Sequence, residues 1–224
     1  MKFALSHLLL FFVLPAMAQR TIDRAVGEFN EVKVYDLIEV NLIQSNENKI
    51  LIKGRNTGDI KWTNKNGVLK LRMQLDRKFT GEDTFIEVHY TDLDIIDANE
   101  GARVTCNEMV KKSMLTLRAQ EGAQITMAMD VKTAHIRAVT GGIVTASGLV
   151  DQQTVVLNTG GIFEGRDLRS NIADVKVSAG GEAEVFASEL MDVHIKAGGD
   201  VMVYGRPKEL NERIFVGGTI RIAD

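Results

Sequence analysis

One cysteine, Cys106, is all that this sequence of 224 residues holds, which excludes an intramolecular disulfide and a cysteine-built metal cage. With only two prolines and no low-complexity tract, it lacks the punctuation of a multi-domain chain. A basic excess is missing too: 27 Lys and Arg stand against 30 Asp and Glu, a formal charge of −3, which argues against nucleic acid as a partner. Aromatics make up 6% of the chain, and Trp62, Tyr35, Tyr90 and Tyr204 are scattered, so they form no ladder of sugar platforms. Of the four histidines, His89, His135 and His194 lie beyond the leader, none in an HExxH arrangement or at metal-ligand spacing. Solvated surface is their default. Past the N-terminal leader no apolar run approaches the roughly 20 residues that a membrane-spanning helix needs.

The leader is a secretory signal. Lys2 supplies a positive n-region, Leu8 to Leu14 an apolar core, and Ala16-Met17-Ala18 a small-x-small cleavage site. Residues 1–18 are therefore expected to be removed, leaving Gln19 first and an exported protein that is periplasmic, cell-surface or secreted. Losing Lys2 takes the formal charge from −3 to −4, with 26 basic against 30 acidic residues. Residues 19–224 are expected to form one domain, long enough to bury a substantial core.

A repeat organises that domain. A glycine followed by a small residue recurs at Gly101-Ala102, Gly122-Ala123, Gly141-Gly142, Gly160-Gly161, Gly180-Gly181, Gly198-Gly199 and Gly217-Gly218. The first glycines are separated by 21, 19, 19, 20, 18 and 19 residues. Three and five positions after each come apolar residues such as Val104/Cys106, Ile125/Met127 and Val201/Val203. Five and three positions before come Leu117/Ala119, Ile136/Ala138 and Val193/Ile195. This alternation is the signature of strands with one buried face. Each unit reads strand, glycine corner, strand and variable return, the return anchored by one apolar residue such as Met109, Leu149, Leu168 or Leu190. A unit this small cannot bury its own apolar face, so successive units must stack. The expected fold is all-β: a parallel β-helix with coils of about 19 residues, right-handed by the general bias of strand crossovers.

Glycine pairs also occur in phosphate-binding loops, but those open a helix. Here strands follow, so a corner with positive φ or close backbone stacking is the reading. Residues 93–224 carry the regular coils. Residues 24–92 are β-rich and less regular, with "KNG" before Val68 as a hairpin signal. Ile52, Leu71 and Tyr90 lie 19 apart, which suggests early coils, and "LDRKFTGED" (75–83) reads as a projecting loop.

The segments "RAVGEFNEVKVYDLIEVNLIQ", "KILIKG", "NGVLKLRM" and "IEVHYTDLDIIDANEGA", with the glycine-pair coils that follow, resemble the DUF2807 family across nearly all of the mature chain. Its members are auto-transporter adhesins with a head GIN domain, common in exported proteins of Bacteroidota. The resemblance implies a β-helical exported protein and carries no catalytic residues. One departure is that the chain reaches "TIRIAD" with no room for a translocator barrel.

Candidate chemistry then lies on the outward rows. Cys106 shares an inward row with Met127 and Ala146 and reads as a buried small hydrophobe. Register sets Glu164 and Glu184 in one outward row and Glu182 and Asp200 in the next, with carboxylates roughly 5 Å apart from coil to coil. Such rows could attract Ca²⁺ adventitiously, or serve a polysaccharide lyase or hydrolase. Across the corner, Arg118, Arg137, Lys176 and His194 form a basic stripe interrupted by Val156, suited to an acidic glycan. For both clusters an ordinary solvated face is the default reading, because charged residues are what solvent-facing strands normally carry. The resemblance implies an adhesin-like protein, and the residues show no nucleophile–base or metal constellation. The leading expectation is therefore a non-enzymatic, adhesin-like protein with a glycan or cell-surface partner and no cofactor. The alternatives are a polysaccharide-active enzyme and a periplasmic scaffold. A β-helix cannot leave its last coil bare, so "RPKELNER", a partner or a second copy should cover Ile220 and Ile222.

Overall fold

A computed structural model describes residues 21–55 and 57–223; the expected signal peptide and its cleavage site lie outside them. In chain order the strands of the N-terminal part are β1 (Ile22–Ala25), β2 (Glu31–Val34), β3 (Glu39–Gln44), β4 (Lys49–Gly54), β5 (Ile60–Lys65), β6 (Val68–Met73) and β7 (Thr84–Tyr90). The coils follow as β8 (Ile95–Ala98), β9 (Arg103–Gln120), β10 (Gln124–Val139), β11 (Ile143–Asn158), β12 (Ile162–Gly165) and β13 (Leu168–Ser178). The last coils contain β14 (Glu182–Phe186), β15 (Leu190–Ala197), β16 (Asp200–Tyr204), β17 (Glu209–Val216) and β18 (Thr219–Ile222).

From β8 onward every pairing is parallel, and equivalent residues stack coil on coil. The chain is a parallel β-solenoid, as the repeat requires. The expected inward rows are inside: Val104, Ile125, Val144, Phe163, Val185 and Val203 are each 1% exposed or less. Cys106 is buried among them, and burial pushes its thiol pKa up. Phe163 compensates for the missing side chain two residues on: a Cβ at Gly165 would sit 2.2 Å from the Phe163 Cζ.

The returns differ from expectation. β9, β10 and β11 run unbroken from one corner to the next, so the return is itself strand. Alternation carried through it turns Met109 and Leu149 outward, 45% and 54% exposed, and leaves Leu190 half-buried. Leu168 is buried as expected, and Val110, Met129, Val131 and Val150 fill the other interior places.

Each glycine of a corner has its own task. Thr140 and Gly141 both have positive φ (50° and 71°), and the Gly142 N–H donates to the Val139 carbonyl at 3.0 Å. Two left-handed central residues closed in this way make a type I′ turn. The Gly141 N–H then donates to the carbonyl of Thr159 in the next coil, at 3.1 Å. Around Gly141 there is open space, so its φ is the requirement. Gly161 is the opposite case, because a Cβ there would lie 1.9 Å from the Ala138 carbonyl oxygen.

The N-terminal part is not a set of early coils in chain order. β2 pairs parallel with β8, and β3 with β9, so residues 31–44 are the coil directly stacked on 95–106. Its corner is Asp36-Leu37, both left-handed (φ 61° and 63°), and the Leu37 N–H donates to Glu100 as a corner glycine would. On the other side of this coil lie β6 and β7. Antiparallel β5, β4 and β1 then close the end. Ile52, Leu71 and Tyr90 therefore share no row. The "KNG" turn is the β5–β6 hairpin, with Asn66 and Gly67 at positive φ. The 75–83 loop exposes Leu75 and Phe79 but is pinned at its base, where the buried Asp36 carboxylate accepts the Met73 N–H at 3.0 Å and the Phe79 N–H at 3.4 Å.

At the opposite end, "RPKELNER" does not cover the last coil, because Glu209 to Arg213 belong to β17 and form its outermost layer. Ile214 and Ile222 remain 47% and 56% exposed, and Ile220 is half-buried.

Candidate ligand-binding faces

The two outward clusters lie on different faces, separated by the glycine corners. On the first face the register joins Lys70, Lys33, Asp97, Arg118, Arg137, Val156, Lys176, His194 and Arg213 into one row. The basic stripe is thus longer than the sequence indicated, by Arg213 at one end and Lys33 and Lys70 at the other. Over eight steps of about 4.8 Å it runs roughly 38 Å.

The row is not uniform. Lys33 sits between Glu31 and Asp97, each 3.0 Å away. Burial works to lower its pKa, but the hydrogen bonds to those carboxylates win and hold the ammonium above its ordinary value. Arg118 reaches Glu31 at 3.9 Å, and Lys176 is tied to Asp174 at 2.7 Å on its own strand. Arg137, His194 and Arg213 have no ion-pair partner among the described residues, and their side chains face solvent. The stripe is open.

The second face carries the carboxylates. Glu164 and Glu184 are register partners, as are Glu182 and Asp200. They border a depression of about 270 Å³ that Met202 and Arg221 complete. Glu164 accepts a hydrogen bond from the Thr145 hydroxyl at 2.7 Å, and Glu184 one from the Tyr204 hydroxyl at 3.4 Å. Arg166 stacks over the Tyr204 ring, 5.1 Å from its centroid. Asp200 meets Arg221 at 3.9 Å. Glu164, Glu184 and Asp200 are thus engaged with neighbouring side chains, and among the described residues no three His, Cys, Asp or Glu are grouped to hold a metal ion. His135 and His194 are exposed, as expected; His89 is half-buried, with no hydrogen-bond partner for its Nε2.

Residues 28–207 match the family described as DUF2807, "Putative auto-transporter adhesin, head GIN domain". The chain belongs to the DUF2807 family. Its fold is shared by solved structures. A "putative adhesin" from Bacteroides fragilis superposes with a TM-score of 0.84 at 18% identity, over 93% of this chain and 99% of that one. A "putative adhesin" from Parabacteroides distasonis gives 0.75 at 17% identity, over 92% and 97%. A "putative lipid binding protein" from the same species gives 0.71 at 14%, over 93% and 98%. At these identities the likeness concerns the fold alone. No curated protein matches the chain. Among the described residues no helix is long and apolar enough to cross a membrane. The DUF2807 match spans both faces, from the capped end to β16, and so includes every residue of the cation row except Arg213.

Proposed function

We propose that this DUF2807 protein is an exported, non-enzymatic adhesin that binds an extended acidic glycan along the first face. The observation carrying this reading is the cation row itself. Its charges recur at the coil pitch, its unpaired members are exposed, and an extended polyanion could meet one after another without bending. Such binding is electrostatic and must weaken with salt.

The test is binding of a polyuronate to the mature chain, by calorimetry at low and high salt. A variant carrying Arg137→Ala, Lys176→Ala, His194→Ala and Arg213→Ala is expected to lose at least about 10-fold in affinity, equivalent to about 1.4 kcal/mol. Equal binding by the variant removes the proposal. Turnover of the polymer that disappears in a Glu164→Gln, Glu184→Gln double variant would instead mark an enzyme of the second face.

The proposal includes a second copy at the C-terminal coil. Among the described residues β17 and β18 each have one free edge and leave Ile214 and Ile222 exposed, whereas β1, β4 and β5 cover the apolar core at the N-terminal end. The apolar contact available is therefore end to end between two C-terminal coils. Such a contact is isologous and stops at a dimer. Glu212 stands in the inward row above Val193, a charge of the kind that opposes edge pairing. Glu212→Leu should therefore tighten the dimer. A strict monomer by light scattering at high concentration, for both forms, would rule the contact out.

A further inference from the structure

We infer that the N-terminal end of the second face holds a pocket for a neutral pyranose ring, distinct in place and chemistry from the cation row. The pocket has a volume of about 290 Å³ and is built by β3, β4, β7 and β9. Its centre is Phe85. Alternation along β7 sends Thr84, Ile86 and Val88 inward, at 1% exposure or less, and leaves the Phe85 ring outward, 50% exposed. Across the strands Phe85 stands between Lys53 and Glu39, with Arg103 beyond Glu39.

The polar groups around the ring select the ligand. Lys53 pairs with Glu87 at 2.6 Å, and Arg103 with Glu39 at 3.3 Å. Two cations and two anions cancel, so the pocket has no net attraction for a charged molecule. Each pair also fixes the position of its partners while engaging one oxygen of the carboxylate, leaving the other to accept a hydrogen bond. Asn41 accepts a hydrogen bond from the Thr105 hydroxyl at 3.4 Å, and its amide nitrogen makes no hydrogen bond among the described residues. An apolar ring face flanked by fixed acceptors and a free donor calls for a small molecule with an apolar face and hydroxyls on its rim. A pyranose has that shape: its axial C–H groups lie on the negative face of the aromatic ring, and its hydroxyls reach the edge groups. A purely apolar ligand would strand the polar groups, and an anion would find each cation already paired.

The test uses the mature chain, with methyl glycosides of glucose, galactose, mannose, fucose and N-acetylglucosamine. Saturation-transfer NMR should show at least one of them bound through the C–H protons of a single ring face. Phe85→Ala is expected to weaken that glycoside at least about 10-fold, Phe85→Trp to retain it, and Asn41→Ala to weaken it less than Phe85→Ala does. Because Phe85 is half exposed, its truncation should leave the melting temperature close to that of the parent. The cation-row variant should bind the glycoside unchanged, which keeps this result separate from polyuronate binding. The inference is overturned if no glycoside of the panel binds at tens of millimolar, about the weakest affinity such a contact gives. It is also overturned if Phe85→Ala binds as the parent does, or if glucuronate outcompetes every neutral glycoside.

Discussion

At the N-terminal end Ile52 and Leu71 are fully buried beneath antiparallel strands, whereas at the C-terminal end Ile222 keeps 56% of its surface in solvent. All three belong to alternating strands of similar composition. Place in the local pattern does not decide their burial; the presence of another layer does. The N-terminal end acquires that layer by folding residues 45–94 back over the coil of β2 and β3. Among the described residues nothing does the same for β17 and β18.

Four substitutions and one pH measurement sharpen that comparison, in descending order of effect. Leu71→Ala removes a fully buried side chain and should cost about 3 kcal/mol in denaturant unfolding. Asp36→Ala leaves the Met73 and Phe79 N–H groups without their carboxylate and should cost about 2 kcal/mol, with proteolysis appearing first in the 75–83 loop. Gly122→Ala, in an open corner far from either end, forces an alanine into the left-handed region for about 1 kcal/mol. Ile222→Ala should stay within about 0.5 kcal/mol in dilute solution. A cost at Ile222 approaching that at Leu71 would mean the last coil is covered when the protein is free.

The smallest effect concerns Glu100, which faces Asp36 at the capped end. Burial, then the Asp36 charge, raises its pKa above the ordinary 4.5. A raised carboxyl pKa gives stability that is present below the unfolded value and lost as pH rises through the folded one. Glu100→Gln should flatten the decline in melting temperature as pH rises from about 4.5 toward neutrality. An unchanged pH profile would show that the pair does not couple.

The stack was legible because Gly141, Gly160 and their equivalents are spaced by the coil itself. The first coil was hidden by chemistry: Leu37 occupies a left-handed corner position where glycine stands elsewhere, and 64 residues separate Glu39 from its register partner Arg103. That displacement also concealed Lys33 and Lys70 as members of the basic row. Arg213 had a readable signal, four residues before Gly217, but Glu212 stands five before that glycine, where the other coils carry an apolar residue such as Val193, and this obscured it. Phe85 could be read as outward from "TFIEVHY"; its charged surroundings come from strands that only the folded chain brings together.

The corner ladder has a consequence for how such a protein can change length. The Gly122 N–H donates to Thr140 and the Gly141 N–H to Thr159, so every interior corner offers its neighbours the same donor and acceptor. β10 and β11 keep an offset of 19 residues along their whole length. Excising residues 123–141 would join Gly122 to Gly142 and return an intact corner one coil shorter. Interior coils are thus interchangeable units of genetic insertion or loss, while the sequences at the two ends are not. Duplicating one would extend the cation row by a single step of about 4.8 Å, which makes reach along a polymer a property that can be tuned without redesigning the fold.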